Sequence, residues 1–464
     1  MIFTNIHSVY CIGIGGIGVS ALARYFLNKG KKVAGYDRNP STLTAQLIAE
    51  GADIHFKDDI ALMPEYIRDL QNKDNILVIY TTAVPDDHSE LQYFRRHGYV
   101  VHKRSVVLGM ITESLHTIAI AGTHGKTTIT SLTAHIHKQS GLPVNAFIGG
   151  IAKNYETNLL LDKDSNIIIV EADEYDRSFL RLTPDAAVIT SIDADHLDVY
   201  GSKDEIIKSF DAFVRQIKND GVLVYKKNLP ILIPEGIRAY SYSVDDTHAD
   251  FYAADCIRKG MFYEFTFRGQ GIKIEHVQTA VPGMVNVENT IAAMALSVLR
   301  GLPHKKICEA VASFFGVQRR FDICYNHANV LYIDDYAHHP EAIAAVLRSL
   351  KHIFPERKIT AVFQPHLYTR TRDMAHDFAV SLAMADDLIL LDIYPARENP
   401  IPGVTSRMIA EKVKSKGKVT LCSKKELPTI LQQESFDILV SMGAGDIDTM
   451  VPAVTNLLKE KYGT

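Results

Sequence analysis

Residues 121–128 read AGTHGKTT, and no other stretch restricts the fold of this chain as strongly. An apolar run, Thr117–Ala121, leads into it, and a helix-compatible run, Ile129–Gln139, leads out. Buried strand, glycine turn, Lys-Thr and helix together form a cradle for phosphate, because the first amides of a helix point at an anion. Gly122 and Gly125 permit close backbone approach, and Thr123, His124 and Thr128 complete the loop. Lys126 is expected to reach the β- and γ-phosphates of ATP, and the Thr127 hydroxyl to ligate Mg²⁺. The usual loop has glycine where this chain has Ile120, so the match is to a shortened variant, GTHGKTT. The plain alternative is a strand–helix turn with a surface lysine.

Two further strand ends point to the same sheet edge. Ile167–Val170 is a continuous apolar run, as suits a strand buried on both faces of a parallel sheet, and EADEYD follows it. Ligands bind at the carboxyl ends of such strands, which makes Glu171 the candidate Mg²⁺ ligand and a solvated acidic turn the alternative. Ala187–Thr190 is a second such run, and SIDADHLD follows it. His196 is read there as a site residue and metal ligand in preference to a structural histidine.

The amino-terminal segment carries a different signal. Ser8–Ile14 reads as a strand, Gly15–Gly18 as a turn including Gly16 and Ile17, and Val19–Asn28 as a helix. Gly13, Gly15 and Gly18 satisfy G-x-G-x-x-G, and Asp37 follows a second strand about 20 residues on, where a ribose-binding carboxylate belongs. A third strand, Ile76–Tyr80, ends at Thr81-Thr82. Alone, this region predicts an NAD-dependent oxidoreductase. Hydride transfer, however, leaves the second nucleotide loop at 122–128 unexplained.

Taken with GIGGIG (13–18), VPGMVNVENTIAA (281–293), DDYAHHP (334–340), QPHLYTRTRD (364–373) and MGAGDI (442–447), the segments GTHGKTT, EADEYDRSFL and DADHLDVYG resemble the Mur ligases of peptidoglycan synthesis. The resemblance covers essentially the whole chain. It implies an α/β protein of three domains. These are a Rossmann-like UDP-sugar domain (1–107), a central P-loop ATPase-type domain (108–317) and a Rossmann-like amino-acid domain (318–464). It implies ATP-driven amide-bond formation, joining L-alanine to UDP-N-acetylmuramate through an acyl phosphate. A recycling ligase that adds a whole tripeptide is the alternative within the family. The glycine turn at 13–18, with Asp37, Thr81 and Thr82, then holds the diphosphate of a UDP-sugar.

The resemblance also makes Asn289 an ATP-site residue, against the alternative that Asn286 merely caps a helix. Arg319 or Arg320 is expected on phosphate, and Asp335 near the incoming ammonium or the γ-phosphate. Tyr336 and His338 are expected in the amino-acid pocket. Arg370 and Arg372 are expected on the alanine carboxylate, against a surface basic pair. Proteobacterial members often carry an arginine where this chain has Leu367, so the amino-acid pocket is expected to differ somewhat here.

Bulk properties agree. With 464 residues, 47% hydrophobic and 22% charged, the chain has the composition of a globular protein of about three domains. Its 50 basic and 54 acidic residues nearly balance, which gives no support for a nucleic-acid or membrane partner. Five scattered cysteines show no metal-ligand spacing and fit a reducing cytoplasm. Neither a targeting peptide nor a membrane span is expected. The assembly is expected to be a monomer or homodimer with small-molecule substrates.

Overall fold

Three separate sheets emerge from the sequence pattern. The computed structural model describes residues 3–193, 197–396, 398–414 and 417–463. The first sheet comprises β1 (Ser8–Ile12), β2 (Lys32–Tyr36), β3 (Asp53–His55), β4 (Ile76–Tyr80) and β5 (Val100–Lys103) in the order β3-β2-β1-β4-β5. All its pairings are parallel. Period-2 alternation sends Val9 and Cys11 into one core and Tyr10 and Ile12 into another on the opposite face.

The second sheet contains β6 (His116–Ala121), β7 (Asn145–Ala152), β8 (Thr157–Leu160), β9 (Ile167–Glu171), β10 (Ala186–Ile189) and β11 (Val222–Lys226). It continues through β12 (Arg238–Ser243), β13 (Phe251–Lys259), β14 (Phe262–Gly269) and β15 (Ile272–Gln278). Its order is β15-β14-β13-β12-β11-β10-β6-β9-β7-β8. β6 therefore lies between β10 and β9, so all three motif-bearing strands are adjacent and parallel. β14 pairs with β15 in antiparallel fashion.

The third sheet holds β16 (Asp322–His327), β17 (Val330–Asp335), β18 (Ile359–Phe363), β19 (Asp387–Leu391), β20 (Val419–Cys422) and β21 (Ile438–Met442), in the order β16-β17-β21-β18-β19-β20. Only β16 runs antiparallel to its neighbour. Leu331 and Ile333 face one core, Val330 and Tyr332 the other.

Compactness divides the chain into two units. One comprises Met1–Ile257, Glu264–Ala280 and Val285–Phe315; the other comprises Arg258–Tyr263, Val281–Met284 and Gly316–Thr464. The first unit carries two of the expected domains because they share a core. Val9, Phe26 and Ile111 belong to the same apolar cluster as Ala119, Phe147 and Val170. A polar link reinforces it: buried Arg24 donates to Asn158 Oδ1 at 2.5 Å, and Asn158 donates to the Ile17 carbonyl at 2.6 Å. The expected boundary at 107/108 falls inside a helix, Arg104–Glu113, that runs on without interruption. Among the described residues, no helix is long and apolar enough to cross a membrane.

Candidate active site

The loop after β6 is shaped by two glycines whose positive φ and crowded surroundings disfavour any side chain. Gly122 has φ +131°, and a Cβ there would lie 2.0 Å from Thr190 Oγ1. Gly125 has φ +80° and stands at the start of the helix Lys126–Gln139, and its Cβ would lie 2.7 Å from Asn289 Oδ1. The helix thus begins three residues earlier than its apolar pattern, and Lys126, Thr127 and Thr128 form its first turn.

Lys126 reaches back across this turn. Its ammonium donates to the Gly122 carbonyl at 2.7 Å and to Glu174 Oε1 at 2.9 Å. Burial opposes the charge, but Glu174, Asp173 and Glu171 outweigh it and hold the Lys126 pKa above its ordinary value. Burial pushes the Glu174 carboxyl up to about 7, against the pull of Lys126.

The loop after β10 braces the other side. Thr123 Oγ1 lies 2.8 Å from Ser191 Oγ and 3.1 Å from Asp193 Oδ2. The His124 amide donates to Ser191 Oγ at 3.0 Å, and Thr190 donates to the His124 carbonyl. His196 lies outside the described residues. At the end of β9, Glu171 Oε2 accepts the Gly149 amide at 3.0 Å. Asn289 is buried in the helix Met284–Leu299 and donates to Asn286 Oδ1 at 3.1 Å. Asn286 therefore sits inside that helix and does not cap it.

The amino-terminal glycine turn differs from a simple dinucleotide turn. The helix begins at Ile17 with Gly16 as its cap, two residues before the expected start. Asp37 braces the turn, its Oδ2 accepting the Gly15 amide at 2.8 Å. Gly13, with φ +83°, packs so tightly that a Cβ would lie 2.6 Å from Thr81 Cγ2. Thr82 is exposed on the following turn. A Cβ on Gly18 would lie 2.8 Å from Arg104 Cδ, and Arg104 reaches Asp173 Oδ2 at 3.4 Å. Arg104 thus connects the glycine turn of the first sheet to the carboxylates after β9.

Within the second unit, a tight loop precedes β16. Arg319 and Phe321 have φ +63° and +47°, and Asp335 holds this loop by accepting the amides of Phe321 at 2.7 Å and Ala337 at 2.8 Å. Asp335 is buried, and both its oxygens serve the backbone. The Arg319 and Arg320 guanidinium groups lie 5.1 and 5.0 Å from the Tyr336 ring centre. His338 packs edge-on to Tyr336 at 5.0 Å and to His366 at 6.0 Å. Arg370 is half-buried near the start of the helix Tyr368–Leu382, after Leu367 with φ +72°. Arg372 stands apart from this group. It is exposed and closes on Asp373 at 2.7 Å.

Three family models tile this architecture. The Mur ligase family catalytic domain matches residues 8–116, the Mur ligase middle domain 120–297, and the Mur ligase glutamate ligase domain 319–445. The chain belongs to the Mur ligase family. A UDP-N-acetylmuramate–L-alanine ligase of Parabacteroides distasonis is 49% identical over 460 residues, covering 99% of this chain and 98% of that one. One from Porphyromonas gingivalis is 47% identical over 455 residues, covering 97% and 99%. The crystal structure of a UDP-N-acetylmuramate–alanine ligase from Thermotoga maritima aligns with a TM-score of 0.82 at 25% identity, covering 98% and 99%. A murein peptide ligase from Psychrobacter arcticus shares the fold at 23% identity with a TM-score of 0.71, covering 97% and 98%.

In this Mur ligase, sequence reasoning overlooked four residues that the structure places at the phosphate loop or its supports. Glu174, Ser191, Gly149 and Arg104 were visible only as parts of motifs or element ends. Glu174, directly before Tyr175-Asp176, stood in a motif already singled out, and becomes distinctive only because Lys126 lies across the sheet edge. Ser191 and Arg104 act through side-chain contacts and Gly149 through its amide, each with a partner far away in the sequence that no spacing reveals.

Proposed function

We propose that this Mur ligase uses ATP to join L-alanine to UDP-N-acetylmuramate. The observation that carries this reading is full-length likeness, at 49% identity, to a curated ligase of that name. The phosphate loop supplies the physical basis. The amides opening the helix at Lys126 and the Lys126 ammonium form a fixed positive surface for the triphosphate, where a muramyl carboxylate must approach like charge. The carboxylate attacks the γ-phosphate, giving an acyl phosphate and ADP. The alanine amine attacks the acyl carbon, and inorganic phosphate leaves. Lys126 is held in reserve by Gly122 and Glu174 and transfers its hydrogen bonds to phosphate when ATP enters.

The donors around the loop suit a hard cation, since the Thr127 hydroxyl and the carboxylates of Glu171, Asp173 and Glu174 are all oxygen ligands. Thr127 and Glu171 would hold Mg²⁺, which when bound neutralises phosphate charge. His196 remains the candidate near a second ion. Glu171→Gln keeps the acceptor for Gly149 while removing the charge. We expect the Mg²⁺ concentration for half-maximal activity to rise at least about tenfold, on the scale of lost ligand support. A superimposable Mg²⁺ titration would return Glu171 to a structural role.

The turn at Gly13–Gly18 is assigned to the UDP-sugar diphosphate. A side chain at Gly15 first meets Thr44 Cγ2 at 2.8 Å and Asp37 Oδ2 at 2.9 Å, so Gly15→Val displaces Asp37 and reshapes the turn. The KM for the sugar nucleotide should rise much more than the KM for ATP. Equal increases would show that the two loops do not serve separate ligands. In the second unit, Tyr336, His338 and Arg370 are assigned to the amino acid, with Arg320 on phosphate. Asp335 is assigned to shaping the loop that presents Arg319 and Arg320.

Phosphate release with ATP, UDP-N-acetylmuramate and either L-alanine or a murein tripeptide tests the whole reading. Release should depend on L-alanine. Preference for the tripeptide would identify a recycling ligase, and tight NAD binding would restore the oxidoreductase.

A further inference from the structure

The first sheet holds a cluster of metal-ligating side chains that the ligase reaction does not use, with His88 and Glu90 buried and Asp58 at the surface. Asp58 follows β3, while His88 and Glu90 open the helix Ser89–Arg96. One ligand atom from each of the three lies within 4.8 Å of the others. Local capping explains how they meet. Asp58 accepts the amides of Ser89 at 2.9 Å and Glu90 at 3.3 Å, together with the Ser89 hydroxyl, so the segment after β3 is pinned to the start of the helix.

Two of these side chains lack ordinary partners. Glu90 is fully buried, and its Oε2 accepts the Tyr10 hydroxyl at 2.7 Å while Oε1 receives no hydrogen bond. His88 is 6% exposed, and neither ring nitrogen is hydrogen-bonded. His88 Nδ1 lies 3.3 Å from Asp58 Oδ1. Leaving such groups bare in the interior is costly. A neighbouring imidazole is already oriented. His55 Nδ1 lies 2.8 Å from the Lys57 carbonyl, and its Nε2 lies 2.9 Å from the Tyr10 hydroxyl and 3.3 Å from Glu90 Oε1. A ring fixed by a carbonyl on one nitrogen, with the other nitrogen facing inward, is the arrangement of a metal-ligating histidine.

We propose that Asp58, His88 and Glu90, with His55 beside them, bind a divalent cation of the zinc class. Imidazole mixed with carboxylate suits zinc, whereas Mg²⁺ prefers oxygen donors alone. The ion joins the end of β3 to the helix Ser89–Arg96. Tyr36, which ends β2, packs its ring 4.7 Å from that of His88, so the bound ion also stiffens the edge that carries Asp37. The role is structural and does not depend on the ligase reaction.

The test uses the full chain, stripped with a chelator and titrated with Co²⁺ and then Zn²⁺. One equivalent of Co²⁺ should give a visible ligand-field spectrum, Zn²⁺ should abolish it by displacement, and Zn²⁺ should raise the melting temperature by binding the folded state. Asp58→Asn keeps an oxygen to cap the helix at a partly exposed position, so it should remain folded and bind at least tenfold more weakly. His88→Gln should do the same. Glu171→Gln should keep the spectrum, which separates this site from the phosphate loop. Absence of the Co²⁺ spectrum in the wild type, or unchanged affinity in Asp58→Asn, would overturn the proposal.

Discussion

Lys126→Ala should leave a folded protein whose ATP-dependent ligation falls by at least the ~10²–10³ that follows loss of one preorganised transition-state donor. The structure adds a second consequence. Lys126 is the main influence holding down the buried Glu174 carboxyl, which already stands near 7 because of burial. Without the ammonium, Glu174 moves further up and takes a proton in preference to remaining a bare buried charge. An acid whose folded pKa lies above its unfolded value of 4.5 favours folding at low pH and loses that contribution as pH rises through the folded pKa. Thermal melts of Lys126→Ala and wild type should therefore agree best near pH 5 and separate as pH rises past 7. Near-normal phosphate release by a folded variant would remove Lys126 from the mechanism. Identical melts across that range would show that the Lys126–Glu174 pair does not stabilise the loop.

Gly122→Ala adds one methyl group and should be nearly as damaging. The backbone at φ +131° is strained for any side chain, and the new Cβ would lie 2.0 Å from Thr190 Oγ1 and 2.9 Å from the Ser191 amide. Thr190 must move, yet Thr190 donates to the His124 carbonyl and so fixes the loop. We expect a stability loss of roughly 1–3 kcal/mol from the strained conformation. ATP affinity should weaken at least about tenfold and turnover about 10²-fold, because the cradle amides no longer converge. Calorimetric ATP binding and phosphate release measure the two effects. A folded Gly122→Ala protein that binds ATP normally would mean that the loop holds something other than phosphate.

Most element positions were legible because their periodicity is local. β4 has the expected limits, and the apolar runs ending at Glu171 and near Thr190 lie on the two parallel strands that flank β6. Helix starts were less legible. Gly16 and Gly125 begin helices that the apolar pattern alone would start two or three residues later, because amphipathic spacing reports the buried face and not the first turn. Arg370 and Arg372 looked equivalent in the sequence. Only the fold distinguishes a half-buried guanidinium from an exposed one closed on Asp373.

The sequence alone determined the class of sheet, the two glycine loops, the lysine between β6 and its helix, and the family to which these motifs belong. Such features lie within a few residues of one another, where propensity and glycine stereochemistry act. Tertiary structure decided which carboxylate meets Lys126: Glu174, 48 residues away in the chain and brought across by the pairing of β6 with β9. It decided that Asp37 turns back onto Gly15 and that Asp335 serves the backbone of its own loop. It also brought Asp58, His88 and Glu90 within reach of a single ion. A buried charge takes whichever partner the packed chain leaves within hydrogen-bonding distance, and that distance does not exist until distant strands have found their register.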